Sequence, residues 1–254
     1  MKISVVTAVL NRSGTIAHAM SSVQEQTHGD VEHVIQDGQS TDGTLDKIRD
    51  HMTDQTLLVS EPDNGIYDGI NRGISRATGD VIGLLHSDDF FGGPATLEKI
   101  AAAFDPEGVD GVYGDLQYVS ASDPRRVIRY WRAGEFDRRK LARGWMPPHP
   151  TLFLRREVFD RWGAYDTSYE IAADYDAILR WLARGGVSLA YIPEVLVNMR
   201  VGGESNRSLS RILRKSREDY RALRSNNVGG MGTLVLKNMS KIGQFFIRPS
   251  GSQE

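Results

Sequence analysis

Three times before residue 77 the chain passes through the same order: an apolar, β-branched run, a polar loop, then an amphipathic stretch. A fourth apolar run, residues 81–85, follows the turn Thr78-Gly79-Asp80 and leads into two adjacent carboxylates, Asp88 and Asp89. Short continuous apolar runs bounded by turn residues read as strands of a mainly parallel sheet, buried on both faces. Strand, loop and helix in that order describe a Rossmann-like, mononucleotide-binding half rather than a barrel. In such open sheets ligands sit beyond the carboxyl ends of the strands, which is where Asp88 and Asp89 fall. Adjacent carboxylates oppose each other's ionisation, and a hard divalent cation carrying a diphosphate would relieve that repulsion. Ser87-Asp88-Asp89 equally suits a helix cap or an Asx turn, so the pair alone does not decide function.

The order of elements continues through the chain. Residues 2–10 form the first expected strand, ending at the turn Asn11-Arg12-Ser13-Gly14, and 15–26 the first helix, with Ile16, Ala19, Met20 and Val23 on one face. A strand at 31–36 precedes the glycine-bearing loop that starts at Asp37, and Asp42 is the expected N-cap of a helix through residue 48. A strand at 57–60, the polar turn Glu61-Pro62-Asp63-Asn64-Gly65 and a helix at 66–76 carrying Asn71 and Arg72 complete the third unit. Farther on come a helix at 94–104, strands at 111–118 and 126–132, the start of a helix at 136–143 and an irregular, proline-rich segment at 145–150 that holds His149. A strand at 151–154, a helix at 156–162, a long helix within 169–185, a strand at 187–192 and an extended exit at 193–201 follow. Asp174 and Asp176 fall near the start of the long helix, where the helix dipole favours negative charge.

Composition sets limits. The 254 residues suffice for one large α/β domain plus a tail, and the absence of cysteine rules out disulfide and thiolate chemistry. The opening apolar run is too short for a signal h-region, and no run approaches the ~18 apolar residues of a membrane span, so a cytoplasmic protein is expected. No G-x-G-x-x-G occurs, which leaves dinucleotide binding unsupported. Net charge is −2, but residues 200–254 hold 11 Lys/Arg against 4 Asp/Glu, leaving an acidic body and a basic tail.

Four segments in register, S-V-V-T-A-V-L-N-R, I-Q-D-G-Q-S-T-D-G-T, E-P-D-N-G-I-Y-D-G-I-N-R-G through H-S-D-D, and A-A-D-Y-D-A-I-L-R-W, resemble the family 2 glycosyltransferases over roughly residues 1–205. The resemblance implies an α/β GT-A fold, with a nucleotide-binding half at 1–92 and an acceptor half at 93–205. It implies transfer of a sugar from a nucleotide-diphospho-sugar, most simply a UDP-sugar, to a saccharide or lipid-linked saccharide with inversion. It further implies a divalent metal, Mn2+ or Mg2+, at Asp89 with Asp88 beside it, and Asp174 as catalytic base. Thr7, Ala8, Val9, Asn11, Asp37, Asp63, Gly65, Asn71 and Asp88 correspond to donor-binding positions, with Arg72 expected on the diphosphate and His149 and Asp176 expected near the acceptor. Gln36 replaces the family's first Asp and Gln39 interrupts the usual D-D-G-S spacing, which leaves the base, uracil or guanine, open. Two other classes fit parts of the pattern. A nucleotidyltransferase would carry a longer basic Gly-rich loop after the first strand, and a non-catalytic binding module would not need all three of Asp88, Asp89 and Asp174.

Residues 206–247 read as a basic helical tail. Leu209, Ile212, Leu213, Ser216, Tyr220 and Leu223 form one stripe among Arg211, Arg214, Lys215, Arg217, Arg221 and Arg224. In 234–247, Val235, Met239, Ile242 and Phe246 share a side, with Lys237 and Lys241 nearby. These helices either pack on the body with solvated basic faces or lie against an anionic membrane at the inner leaflet. They lack the aromatic stacking pattern of a nucleic-acid binder. Residues 200–206 have the glycines of a lid, and 248–254 are expected to be disordered.

Overall fold

The computed structural model describes residues 1–105, 108–201 and 209–243, the side chains of 209 and 240–243 excepted. The parallel half is built from β1 (Ile3–Val9), β2 (Val31–Asp37), β3 (Thr56–Ser60) and β4 (Val81–Leu84), with α1 (Ile16–Gln24), α2 (Thr44–His51) and α3 (Ile66–Arg76) between them. All seven residues of β1 are buried, as its β-branched sequence requires of a central strand covered on both faces. Asp42 accepts the Thr44 N–H at 3.0 Å, but the N-cap of α2 is Gly43, one residue later than expected, in a left-handed conformation with φ 89°.

The second half is mixed. It contains β5 (Phe90–Phe91), α4 (Thr96–Ala103), β6 (Gly111–Ser120), β7 (Val127–Trp131), β8 (Phe153–Arg155), α5 (Arg156–Trp162), α6 (Ala173–Leu179) and β9 (Leu189–Val201). One nine-stranded sheet runs in the order β3-β2-β1-β4-β8-β6-β9-β5, with β7 on β6. Strands β1 to β4 pair in parallel, β6 and β9 pair in parallel, and β8, β7 and β5 each pair antiparallel to their neighbours. Close packing at the junction depends on Gly83, where a Cβ would lie 2.1 Å from the Phe153 ring.

Three elements differ from the sequence reading. The strand at 187–192 and the exit at 193–201 are one strand, because the register with β6 jumps from Ile192 to Val195 and leaves Pro193 in a bulge. The helix expected within 169–185 begins only at Ala173 and closes with a π-helical turn at Arg180–Arg184. Residues 136–143 give a 3-10 turn, Arg138–Arg143.

The described tail consists of α7 (Leu209–Ser225) and α8 (Met231–Gly243), and both pack on the body. Ala222, Leu223 and Leu234 join the apolar cluster of Tyr175 and Trp181. The Glu218 carboxylate accepts the N–H groups of Glu170, Ile171 and Ala172 at 3.1, 2.8 and 2.9 Å. The outward faces are not the expected ones: Leu213, Val235 and Met239 are exposed, whereas Asp219 and Lys237 are buried. Residues 202–206 of the expected lid, the boundary at 205, Phe246 and 248–254 lie outside the described residues, as do the Lys241 and Ile242 side chains.

Candidate active site

Two clefts of about 520 and 530 Å³ lie side by side and share Ile66, Tyr67, His86 and Ile171. Ala8, Val9 and Asn11, at the end of β1, line the first, with Asp63 and Gly65 from the turn before α3. Asn11 takes a positive φ of 53°, held by its N–H to Ser40 Oγ and by the Thr41 N–H to its Oδ1, both 2.9 Å. Asp63 packs against the bare face of Gly38, where a Cβ would come within 2.7 Å of Oδ2. Ser87, Arg12, Glu170 and Arg211 also line this cleft.

Four expected donor-site residues have another task in this arrangement. Thr7 is buried, donating to the Leu85 carbonyl at 2.7 Å and meeting His33 Nε2 at 2.9 Å. Asp37 is buried and accepts from Ser60 Oγ at 2.6 Å and the Ser40 N–H at 3.1 Å, so its carboxylate holds its own loop. Asn71 clamps the Tyr165 backbone through Nδ2 to the carbonyl and Oδ1 to the N–H. Arg72 is paired with Glu61 and Asp68, each at 3.0 Å, and donates to the Pro62 carbonyl. None of the four lines either cleft.

Asp89 is 1% exposed. One oxygen accepts the Arg200 N–H at 3.2 Å, and the other, Oδ2, is buried with no hydrogen-bond partner. Burial first, and the neighbouring Asp88 second, push its pKa well above the usual carboxylate range. A bare buried carboxylate oxygen is costly, and a divalent cation is the partner that would restore its ionised form. Asp88 is only half-buried, and the Arg200 guanidinium donates to its carbonyl and meets His18 Nδ1. Among the described residues no group of three or more His, Cys, Asp or Glu could hold a metal ion.

The second cleft contains Asp174, from the first turn of α6, together with His149 and Met146 of the proline-rich segment. Asp174 Oδ1 accepts the Tyr175 N–H at 2.8 Å and lies 3.5 Å from the Tyr67 hydroxyl, which donates to the Ile171 carbonyl. His149 Nε2 meets the Tyr165 hydroxyl at 2.8 Å, and its ring lies 5.9 Å from that of His86. Burial lowers both imidazoles, His149 to about 4, so both are neutral at neutral pH. Asp176 does not belong here. Two positions along a helix point to different faces, and its carboxylate accepts from Asn226 Nδ2 at 2.9 Å and pairs with Arg180, fastening α7 to the body.

The tail contributes residues that sequence reasoning assigned to a solvated face. Arg211 lines the first cleft, and Lys215 and Lys237 line the second. Arg211, Lys215 and Glu218 follow at i, i+4 and i+7, one stripe of α7 turned toward the body. That spacing was the available signal, but the apolar stripe beside it drew the inward assignment.

A family model described as Glycosyl transferase family 2 matches residues 4–163. The PGL/p-HBAD biosynthesis glycosyltransferase of Mycobacterium tuberculosis is 31% identical over 208 residues, covering 80% of this chain and 78% of that protein. Among solved structures, the mannosyltransferase PcManGT from Pyrobaculum calidifontis in complex with GDP-Man and Mn2+ superposes with a TM-score of 0.69 at 18% identity, covering 96% of this chain and 73% of that one. S. aureus TarS in complex with UDP-GlcNAc gives 0.64 at 18% identity, and there 90% of this chain corresponds to 66% of that one. The structural likenesses establish the GT-A fold.

Proposed function

The chain belongs to glycosyl transferase family 2, and from that premise we propose that it moves a hexosyl group from a nucleotide-diphospho-sugar to a saccharide or lipid-linked saccharide, with inversion, in polysaccharide assembly. The observation that carries this reading is the junction of two clefts, one lined by His86 and Ser87, which lead in sequence to the bare buried acid Asp89, and the other containing Asp174; neither Asp88 nor Asp89 itself lines a cleft. The nucleoside diphosphate fills the first cleft against Ala8, Val9, Asn11, Asp63 and Gly65. UDP is the proposed nucleotide, consistent with the UDP-GlcNAc complex of TarS, and the GDP-Man complex of the mannosyltransferase makes GDP the alternative.

Asp89 and Asp88 would hold Mn2+ or Mg2+, which when bound offsets the charge building on the departing diphosphate. Asp174 takes the proton of the acceptor hydroxyl as that oxygen attacks the anomeric carbon. The new C–O bond forms as the bond to the diphosphate breaks; the nucleoside diphosphate leaves and the proton stays on the Asp174 carboxyl. Turnover is tested by UDP release from UDP-sugars in the presence of saccharide acceptors, and the anomeric configuration of the product by NMR. An α-linked donor should give a β-linked product; a retained configuration contradicts the one-displacement mechanism.

A specific observation favours contact with a membrane surface. Ile212, Leu213, Met231, Val235, Leu236 and Met239 are exposed on the hairpin, beside Arg214 and Arg217. Apolar side chains rimmed by cations suit an anionic bilayer surface. The protein should sediment with vesicles containing anionic lipid and not with neutral ones, and Leu213→Glu should abolish the difference.

A further inference from the structure

We propose that the second cleft takes an acceptor whose sugar carries an apolar aglycone, an alkyl or aryl group, and that the aglycone packs against the sheet wall around Trp131. The proposal deepens the reading of that cleft as the acceptor site and rests on it.

Strand pairing builds the wall. Residues two apart on a strand share a face, and directly opposed residues on neighbouring strands lie side by side. Leu116 of β6 opposes Trp131 of β7, and two residues farther on Tyr118 opposes Arg129 of β7 and Met199 of β9. All five line the second cleft. Arg129 is the one charged residue among them, and its guanidinium lies over the Tyr118 ring, 4.3 Å from the centroid. Val127 continues the same side of β7 past the cleft and is exposed.

The wall has apolar surface to spare. The indoles of Trp145 and Trp181 each donate to a backbone carbonyl, at 2.9 and 3.0 Å, and each has aromatic neighbours. The Trp131 indole has neither a hydrogen-bond partner nor a ring neighbour among the described residues. Trp131, Tyr118, Met146 and Met199 are all only half-buried. An apolar occupant would take that surface out of water, which is favourable in proportion to the area covered. A saccharide laid there would lose water from its hydroxyls and meet Leu116 and Met199, which offer them no hydrogen bond. Groups that can bond a hydroxyl, Asp174 and His86, enter the cleft from α6 and from the segment after β4. The accepting sugar therefore belongs beside Asp174, and the group attached to it belongs on the sheet.

The test uses the full chain with UDP and Mg2+ present. Methyl, hexyl and phenyl β-D-glucoside, which share one sugar and differ in the aglycone, are titrated while the thermal midpoint is followed. The expected result is a saturable rise with the hexyl and phenyl glucosides at concentrations about tenfold or more below those the methyl glucoside needs. Trp131→Ala should remove most of that advantage and Met199→Gln should reduce it. Both residues lie outside the first cleft, so both variants should keep the response to UDP. Met199→Gln preserves side-chain length and decides the matter even where Trp131→Ala does not fold. Equal responses to the three glucosides, or an advantage left intact by the substitutions, overturn the subsite. A rise kept in Trp131→Ala but lost in Leu213→Glu belongs to the outer surface of the hairpin and overturns it as well. If the advantage is absent while UDP with Mg2+ raises the midpoint, the donor reading stands and the subsite falls. An advantage that depends on Trp131 without any UDP response does the reverse.

Discussion

The two clefts are assembled in different ways. Most of the first is made by loops that directly follow parallel strands: Ala8, Val9 and Asn11 end β1, and Ser87 follows β4. The second draws on β6, β7, the proline-rich segment, α6 and two tail helices, so that Asp174 shares a cavity with Lys215 and Lys237. A site at strand ends is positioned by the sheet itself, and one assembled from separate elements depends on how those elements dock. The first should therefore tolerate damage to the tail and the second should not.

The largest expected effect separates the clefts by chemistry. Asp174→Asn should lower transfer by about 10²–10⁴-fold, the usual contribution of a general base, while UDP affinity stays as in the parent protein. Steady-state kinetics beside a UDP titration checks both halves of the statement.

Acid should weaken both halves through buried histidines, most of all one in each. His33, bonded to Thr7 in the parallel half, and His149 in the second are buried, and burial lowers both to about 4. Their unfolded value is near 6.5, so below that pH the unfolded chain binds protons first. Stability is full above 6.5 and falls as pH drops toward 4, by about 3 kcal/mol per histidine. Urea midpoints at pH 7 and pH 4.5 measure the loss, and His149→Gln should make it smaller.

Glu218→Ala sharpens the contrast. Loss of the carboxylate that accepts three backbone N–H groups ahead of α6 should cost about 1–3 kcal/mol and reduce turnover through Asp174. UDP affinity should fall less than turnover, because Glu170 and Ile171 also line the first cleft, and a combined melting and titration experiment reads both. The smallest effect is expected at Arg72→Ala. Its half-exposed ion pairs with Glu61 and Asp68 are worth about 1 kcal/mol or less, and UDP affinity should not change. A tenfold loss of UDP affinity there would return Arg72 to the diphosphate.

What could be read from the sequence follows the same division. The β1 to β4 units, helix α3 at Ile66–Arg76 and the setting of Asp89 at a strand's carboxyl end were legible, because period and turn chemistry are local. Thr7, Asp37, Asn71 and Arg72 correspond by resemblance to donor positions; the first three meet His33, Ser60 and Tyr165, distant in sequence, whereas Arg72 pairs with the nearby Asp68 and Glu61. The orientation of α7 and α8 was illegible for a physical reason. Hydrophobic periodicity assigns apolar residues inward, whereas here an Asp219–Lys237 ion pair and the Glu218 contacts with residues 170–172 set the inward face. The bulge at Pro193 was hidden likewise, since only the pairing with β6 shows that the strand continues.

The most direct test of the central claim is the thermal midpoint with UDP or GDP, each with and without Mn2+, in the parent protein and in Asp89→Ala. A ligand at 100 times its dissociation constant adds about 2.7 kcal/mol, enough to shift the midpoint visibly. The predicted result is a rise with UDP that needs Mn2+ and disappears in Asp89→Ala. A rise with neither nucleotide, or one indifferent to Mn2+ and to Asp89, would contradict a nucleotide-diphosphate site at the end of β4.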